Sequence, residues 1–282
     1  MPRLRSLLFV PGDRPDRFAK AAASGADALI LDLEDSVALE AKPVAREAVA
    51  EALAGARAVP LFVRINPLDG GLADLDLDAV ARLAPDAIVL PKAEGAISVA
   101  DLADRLDRRS AGAVPILPIA TETPAAIFQL GSYAAQADRL MGLTWGAEDL
   151  PAAIGAETSR EPGGGYTASY QLARSLTLFG AAAAGVAPIE TVYPDFRDLD
   201  GLATYAARGA RDGFTAMMAI HPAQVAVINA AFTPSAEAVA QARAVVTAFA
   251  AHPGAGVLNL GGKMIDRPHL VQAQRVLGRV EE

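Results

Sequence analysis

Two hydrophobic patterns alternate along this chain. Short runs that are apolar almost throughout recur at 6–10 (SLLFV), 28–32 (ALILD), 61–65 (LFVRI) and 87–91 (AIVLP). They continue at 115–120 (PILPIA), 139–146 (RLMGLTWG), 189–193 (IETVY) and 214–220 (FTAMMAI). Most lack polar alternation, which predicts parallel strands covered on both faces rather than strands with one wet face. Between them lie Ala-rich amphipathic segments such as EAKPVAREAVAEALAG and VADLADRLDRRSAG. Eight strand candidates, nearly all followed by a helix, predict an α/β fold, a TIM (β/α)8 barrel. A doubly wound open sheet is the alternative.

The stretch HPGAGVLNLGGKMIDRPHLVQAQRVLGRV lies beyond the eighth unit. Its Gly-rich linker and final amphipathic helix divide the chain into a barrel domain, 1–251, and a C-terminal extension, 252–282. The extension is expected to pack somewhere other than in its own barrel's regular ring. EPGGGYTAS (161–169) reads as a flexible loop and a candidate lid.

Composition narrows the classes. A hydrophobic content of 52% over 282 residues supplies a large core and excludes disorder. The net charge of −8 argues against nucleic acid or an anionic membrane as partner. The absence of cysteine excludes disulfides, thiolate metal sites and a cysteine nucleophile, and fits a cytoplasmic location. The first apolar run is shorter than the roughly 7–15 residues of a signal-peptide core, and none approaches a span of about 20. No strand is followed by a dinucleotide fingerprint or a P-loop.

Barrel enzymes build their sites at the C-terminal ends of the strands. Those ends carry Asp32, Glu34 and Asp35, then Arg64, Lys92, Glu122, Glu148 and Asp149. Each has a bland reading: Asp35 or Asp149 as a helix cap, Glu122 as a first-turn acid, Arg64 as a structural ion pair. Convergence on one rim favours a site. Carboxylates crowded in a cleft raise one another's pKa values unless a cation joins them. Two carboxylates with water and substrate oxygens suit Mg2+, and no His or Cys cluster points to zinc. His221 reads equally as a site residue or as a structural His before Pro222.

These stretches closely resemble the citrate lyase beta-subunit-like branch of the malyl-CoA/citramalyl-CoA lyase (HpcH/HpaI aldolase) family. The resemblance runs through RSLLFVPGDRPDRFAKA, GADALILDLEDSV, FVRINP, IVLPKAE, ETPAAI, GAEDLPAAIGA, IETVYPDFRD, AIHPAQV and GKMIDRPHLVQAQRVL. It implies a homotrimeric TIM barrel that uses Mg2+ to cleave or form the carbon–carbon bond of 3-hydroxyacyl-CoA thioesters. Malyl-CoA, citramalyl-CoA and citryl thioesters are the substrates implied, with a 2-oxo acid and an acyl-CoA as products. By position, Glu122 and Asp149 resemble the metal carboxylates. Arg64 resembles the arginine at the oxo acid and thioester carbonyl, and Asp35 the acid that organises it with the metal waters. Asp266 resembles an aspartate that serves proton transfer in a neighbouring subunit's site. Arg5, Lys20, Lys42 and Arg46 are the basic candidates for coenzyme A.

Relatives usually carry a Gly-Lys pair where this chain has Ala216 and Met217, so a basic thioester contact is expected to be missing there. Ala120 and Thr121 also stand before Glu122, where apolar neighbours are commoner. Other readings of the same residues are an imine-forming aldolase through Lys92, a Mg2+/oxo-acid-binding homologue without lyase activity, and a thioesterase.

Overall fold

A computed structural model describes residues 4–281. Eight strands form one sheet: β1 (Ser6–Pro11), β2 (Ala28–Asp32), β3 (Leu61–Arg64), β4 (Ala87–Leu90), β5 (Ile116–Pro118), β6 (Gly142–Thr144), β7 (Ala187–Glu190) and β8 (Ala216–Ala219). Their order is β5-β4-β3-β2-β1-β8-β7-β6, with parallel pairing throughout. The two end strands meet through parallel bridges at Ile116–Leu140 and Ile119–Thr144. The sheet thus comes round nearly to closure, and the fold is the TIM-like barrel rather than the open sheet.

The helices between and after the strands are α1 (Phe18–Ala22), α2 (Lys42–Ala54), α3 (Leu72–Val80), α4 (Ala96–Arg108), α5 (Pro124–Gln129), α6 (Leu150–Ile154), α7 (Ala168–Ala184), α8 (Leu199–Asp212) and α9 (Pro222–Ala231). Several start with expected chemistry. The Thr123 hydroxyl accepts the Ala126 N–H ahead of Pro124 in α5, and Asp198 accepts the Gly201 N–H at the start of α8. Among the described residues, no helix is long and apolar enough to cross a membrane.

Residues 4–229 form one compact unit and 230–281 a second. The second contains α10 (Ala236–Ala251), an antiparallel hairpin of β9 (Val257–Leu260) and β10 (Lys263–Asp266), and α11 (Arg267–Glu281). Val245, Phe249, Ile265 and Ala273 pack together there.

Inside the barrel, Leu7, Ala28, Ile30, Phe62, Val89, Leu117, Ile189 and Met218 belong to one buried cluster. Strand side chains alternate faces, so the parity of Ala28 and Ile30 carries on to Asp32, and that of Phe62 to Arg64. The register pairs Asp32 with Arg64. The interior is therefore apolar until the C-terminal ends of β2 and β3, where it turns ionic.

Candidate active site

The ionic mouth starts with Arg64. Its Nε and Nη2 each donate to Asp32 at 2.6 Å, a two-point clamp. Nη1 lies 2.9 Å from Glu34 Oε2, close enough to pair but out of line for a hydrogen bond, so that buried oxygen is otherwise unpartnered. The guanidinium also stacks 4.9 Å from the Phe9 ring centroid. Burial acts to lower the Arg64 pKa, and the bonds and charges of Asp32 and Glu34 more than offset it. Arg64 remains a fixed cation.

Asp32 is oriented from behind: the N–H groups of Glu34 and Ser36 donate to it at 2.9 and 3.1 Å. Burial works to raise its pKa, but Arg64 and these donors hold it below the ordinary value. The turn closes tightly because residue 12 is glycine. Its N–H donates to the Asp32 carbonyl at 2.8 Å, and a Cβ there would sit 2.6 Å from that oxygen.

Glu34 is also buried, and burial raises its pKa despite Arg64 and Lys92, whose ammonium lies 3.1 Å from it. Asp35, by contrast, is exposed. Arg64 is therefore organised by Asp32 and Glu34, not by Asp35, which acts on Glu34 and Lys92 only through its charge. The reason is parity: Asp32 ends the inward-facing row of β2, while Asp35 lies in the turn that follows.

Across the mouth, Glu122 is 5% exposed and accepts the Lys92 backbone N–H at 2.6 Å on Oε2. Lys92 presents that N–H from a left-handed conformation, φ 50°, unusual for a residue with a side chain. Burial first, then the charges of Glu34 and Asp149, push the Glu122 carboxyl up to about 8. Asp149 occupies the position before α6, yet its side chain makes no capping bond, so the capping reading fails and the carboxylate is free for another partner. Glu148 beside it is exposed.

Five carboxylates (Asp32, Glu34, Asp35, Glu122 and Asp149) thus interact electrostatically with two cations, Arg64 and Lys92. Among the described residues, no three His, Cys, Asp or Glu side chains converge as a complete ion cage. Glu122 and Asp149 lie close enough for their charges to act on each other. Glu122, charged only at a cost, and Asp149, excused from capping, match a hard divalent cation that keeps water and substrate oxygens as its other ligands. The Lys92 ammonium has its pKa raised: burial opposes, and Glu34 outweighs it. An imine-forming lysine needs the opposite shift.

The remaining basic candidates separate by position. Arg5 grips Asp27 at 2.8 Å through two nitrogens, just before β1 and β2, at the end of the barrel opposite the mouth. Lys42 is buried and donates to the Leu33 and Glu34 carbonyls at 2.8 and 3.0 Å, which holds the acid turn in place. Arg46 pairs with buried Asp76 at 2.7 Å. Lys20 opens onto a cleft, of about 380 Å³, lined also by Phe9, Arg17, Ile220 and His221. The His221 ring stacks on Phe196 at 4.7 Å.

Ala216 and Met217 are fully buried, and Met217 pairs in register with Ser6 at the start of β1. Ala216 and Met218 face the barrel interior, so Met217 faces the helices. The missing Gly-Lys pair therefore changes packing away from the mouth. Asp266 lies in the second unit, paired with His269, whose hydrogen bond lowers its pKa.

The 161–169 loop exposes residues 161–165 and is held at Tyr166. Arg160 bridges to Tyr166 and stacks over its ring at 4.2 Å, and Tyr166 packs edge-on against Trp145 at 5.1 Å. Trp145 in turn donates its indole N–H to Glu190, at 2.6 Å. Glu190 also takes Arg174 Nε at 2.7 Å and the Tyr205 hydroxyl at 2.8 Å. Nothing in the apolar reading of IETVY singles out Glu190; its signal is a charge inside a buried strand.

Residues 5–222 match the family described as HpcH/HpaI aldolase/citrate lyase. The chain belongs to that family. Over 98% of its length it is 41% identical to a citrate lyase subunit beta-like protein of Mycobacterium tuberculosis, covering 95% of that protein. It is 32% identical to mitochondrial citramalyl-CoA lyase of Mus musculus, over 98% of this chain and 86% of the other. Among solved structures it resembles protein CitE of M. tuberculosis in complex with magnesium, acetoacetate and coenzyme A. There the TM-score is 0.84 at 36% identity, over 100% of this chain and 99% of that one.

Proposed function

We propose that this family member is a Mg2+-dependent carbon–carbon lyase. Its substrate is a 3-hydroxyacyl-CoA thioester of the malyl, citramalyl or citryl type, and its products are an acyl-CoA and a 2-oxo acid. The observation that carries this reading is the clamped Arg64 cation on one rim with Glu122, whose carboxyl stands at about 8, and with unengaged Asp149. The magnesium held by the CitE relative, and the citramalyl-CoA lyase among the curated relatives, support it.

Glu122 and Asp149 would hold Mg2+, which when bound supplies a Lewis acid for the oxo-acid oxygens. Arg64 retains N–H groups on Nη1 and Nη2 beyond those spent on Asp32, and these stabilise the enolate oxygen that develops at the thioester carbonyl. Asp32 and Glu34 keep the guanidinium from turning away. Lys20, with Arg17, offers cations for the phosphates of coenzyme A in the cleft beside the ends of β1 and β8. Asp266 serves as the proton donor to the enolate carbon, reaching the site of a neighbouring subunit in a cytoplasmic homotrimer.

The test is a panel of 3-hydroxyacyl-CoA thioesters assayed with and without Mg2+, following oxo-acid release. Turnover is expected with Mg2+ and is expected to vanish in Glu122→Gln or Asp149→Asn protein. Full activity after chelation would overturn the metal role. Release of the intact hydroxy acid would mark hydrolysis in place of carbon–carbon cleavage.

A further inference from the structure

Thr121 stands where the resemblance leads one to expect an apolar residue, and its surroundings give a reason for the hydroxyl. It is fully buried. Its O–H donates to the Gly146 carbonyl at 2.8 Å and accepts the Gly146 N–H at 3.0 Å. One side chain therefore satisfies both backbone groups of a single residue just past the next strand. Gly146 also lies against the metal carboxylate: a Cβ built there would come within 2.8 Å of Glu122 Cγ.

The location matters because β5 and β6 close the barrel at a seam without a continuous ladder. Each has three residues, and they join through isolated bridges. Glu122 leaves the barrel from one side of that seam and Asp149 from the other. A cation shared between them has to be spanned across the seam where the two ends of the sheet meet.

We propose that Thr121 is a positioning residue that latches the ends of β5 and β6 and so holds Glu122 and Asp149 in the relation one Mg2+ ion requires. This rests on the metal reading above. The latch acts through backbone, so it needs the hydroxyl and not the methyl group. Loss of the hydroxyl leaves two Gly146 backbone groups without their partner and frees the seam to open.

Thr121→Val keeps the shape and removes the hydroxyl, Thr121→Ser restores it, and Thr121→Ala gives a second hydroxyl-free variant should valine prevent folding. Mg2+ affinity is measured by calorimetry on purified protein without substrate, with thermal melts of the metal-free forms alongside. Partners that orient metal ligands typically contribute 10–100-fold to affinity. Valine and alanine are therefore expected to weaken Mg2+ binding about tenfold or more, while serine stays within about twofold of the parent. Equal affinity in the parent and the valine variant, or equal weakening by valine and serine, would overturn the latch. A parent protein that ignores Mg2+ would overturn the metal reading itself, a result distinct from either.

Discussion

A carboxyl pushed up to about 8, as Glu122 is, keeps its proton through neutral pH in the metal-free protein. The ordinary value is 4.5, so between about 4.5 and 8 the folded state binds more protons at this group than the unfolded chain does. Its contribution to stability is accordingly present below that window and lost as pH rises through it. Mg2+ held there as proposed would favour the carboxylate and would have to displace the proton. Binding at pH 7 is therefore expected to release close to one proton, with affinity falling up to about tenfold per pH unit below 8. Calorimetry in two buffers of different ionisation enthalpy reads the release directly; a binding enthalpy independent of buffer would refute it. Residue identities at the mouth were legible from the strand ends, but the division of labour was not. Asp32 and Asp35 are three positions apart in one acidic run, and only the inward parity of Ala28 and Ile30, extended to Asp32, distinguishes the acid that meets Arg64.

At the scale of elements, the outer face of the barrel supports the mouth through one buried carboxylate. Glu190 on β7 ties Trp145, at the end of β6, to Arg174 of α7 and Tyr205 of α8. Arg174 continues to Asp212 at 2.8 Å and stacks on Phe214 at 4.7 Å. Removing the charge at Glu190 leaves the buried guanidinium of Arg174 half-compensated, a change that typically costs about 3–5 kcal/mol. Glu190→Gln is expected to lose stability near the low end of that range, since the amide still accepts hydrogen bonds and Asp212 remains. Trp145 is the chain's single tryptophan. Its emission should shift to the red in the same variant as the indole loses its anchor, and an unchanged melt and spectrum would show that the network is dispensable. The strands themselves were readable because parallel strands sealed on both faces are apolar throughout. Their limits were not: 139–146 reads as one long run, yet the ladder covers only Gly142–Thr144. Apolar residues continue past the last strand bond into the turn that carries Gly146 and Asp149, and hydropathy does not mark where hydrogen bonding stops.

For the whole molecule, the eightfold βα order was visible along the chain because every strand needs its own covering helix, whereas closure at β5 and β6 depends on contacts between residues about 25 apart in sequence, such as Ile119 and Thr144. The C-terminal region poses the remaining question at this scale, since Asp266 lies in a different compact unit from Glu122. If Asp266 serves the site of a neighbouring subunit, two inactive variants can repair each other. Glu122→Gln protein keeps Asp266, and Asp266→Asn protein keeps Glu122. Unfolded together in equal amounts and reassembled, half of the sites carry an intact Glu122, and half of those meet a neighbour with an intact Asp266. Lyase activity should then return to roughly a quarter of the parent level, while each variant alone stays inactive. A mixture as inactive as its components would place Asp266 in its own subunit's site, because no single chain in the mixture holds both acids. Full activity of Asp266→Asn protein by itself would remove Asp266 from the chemistry.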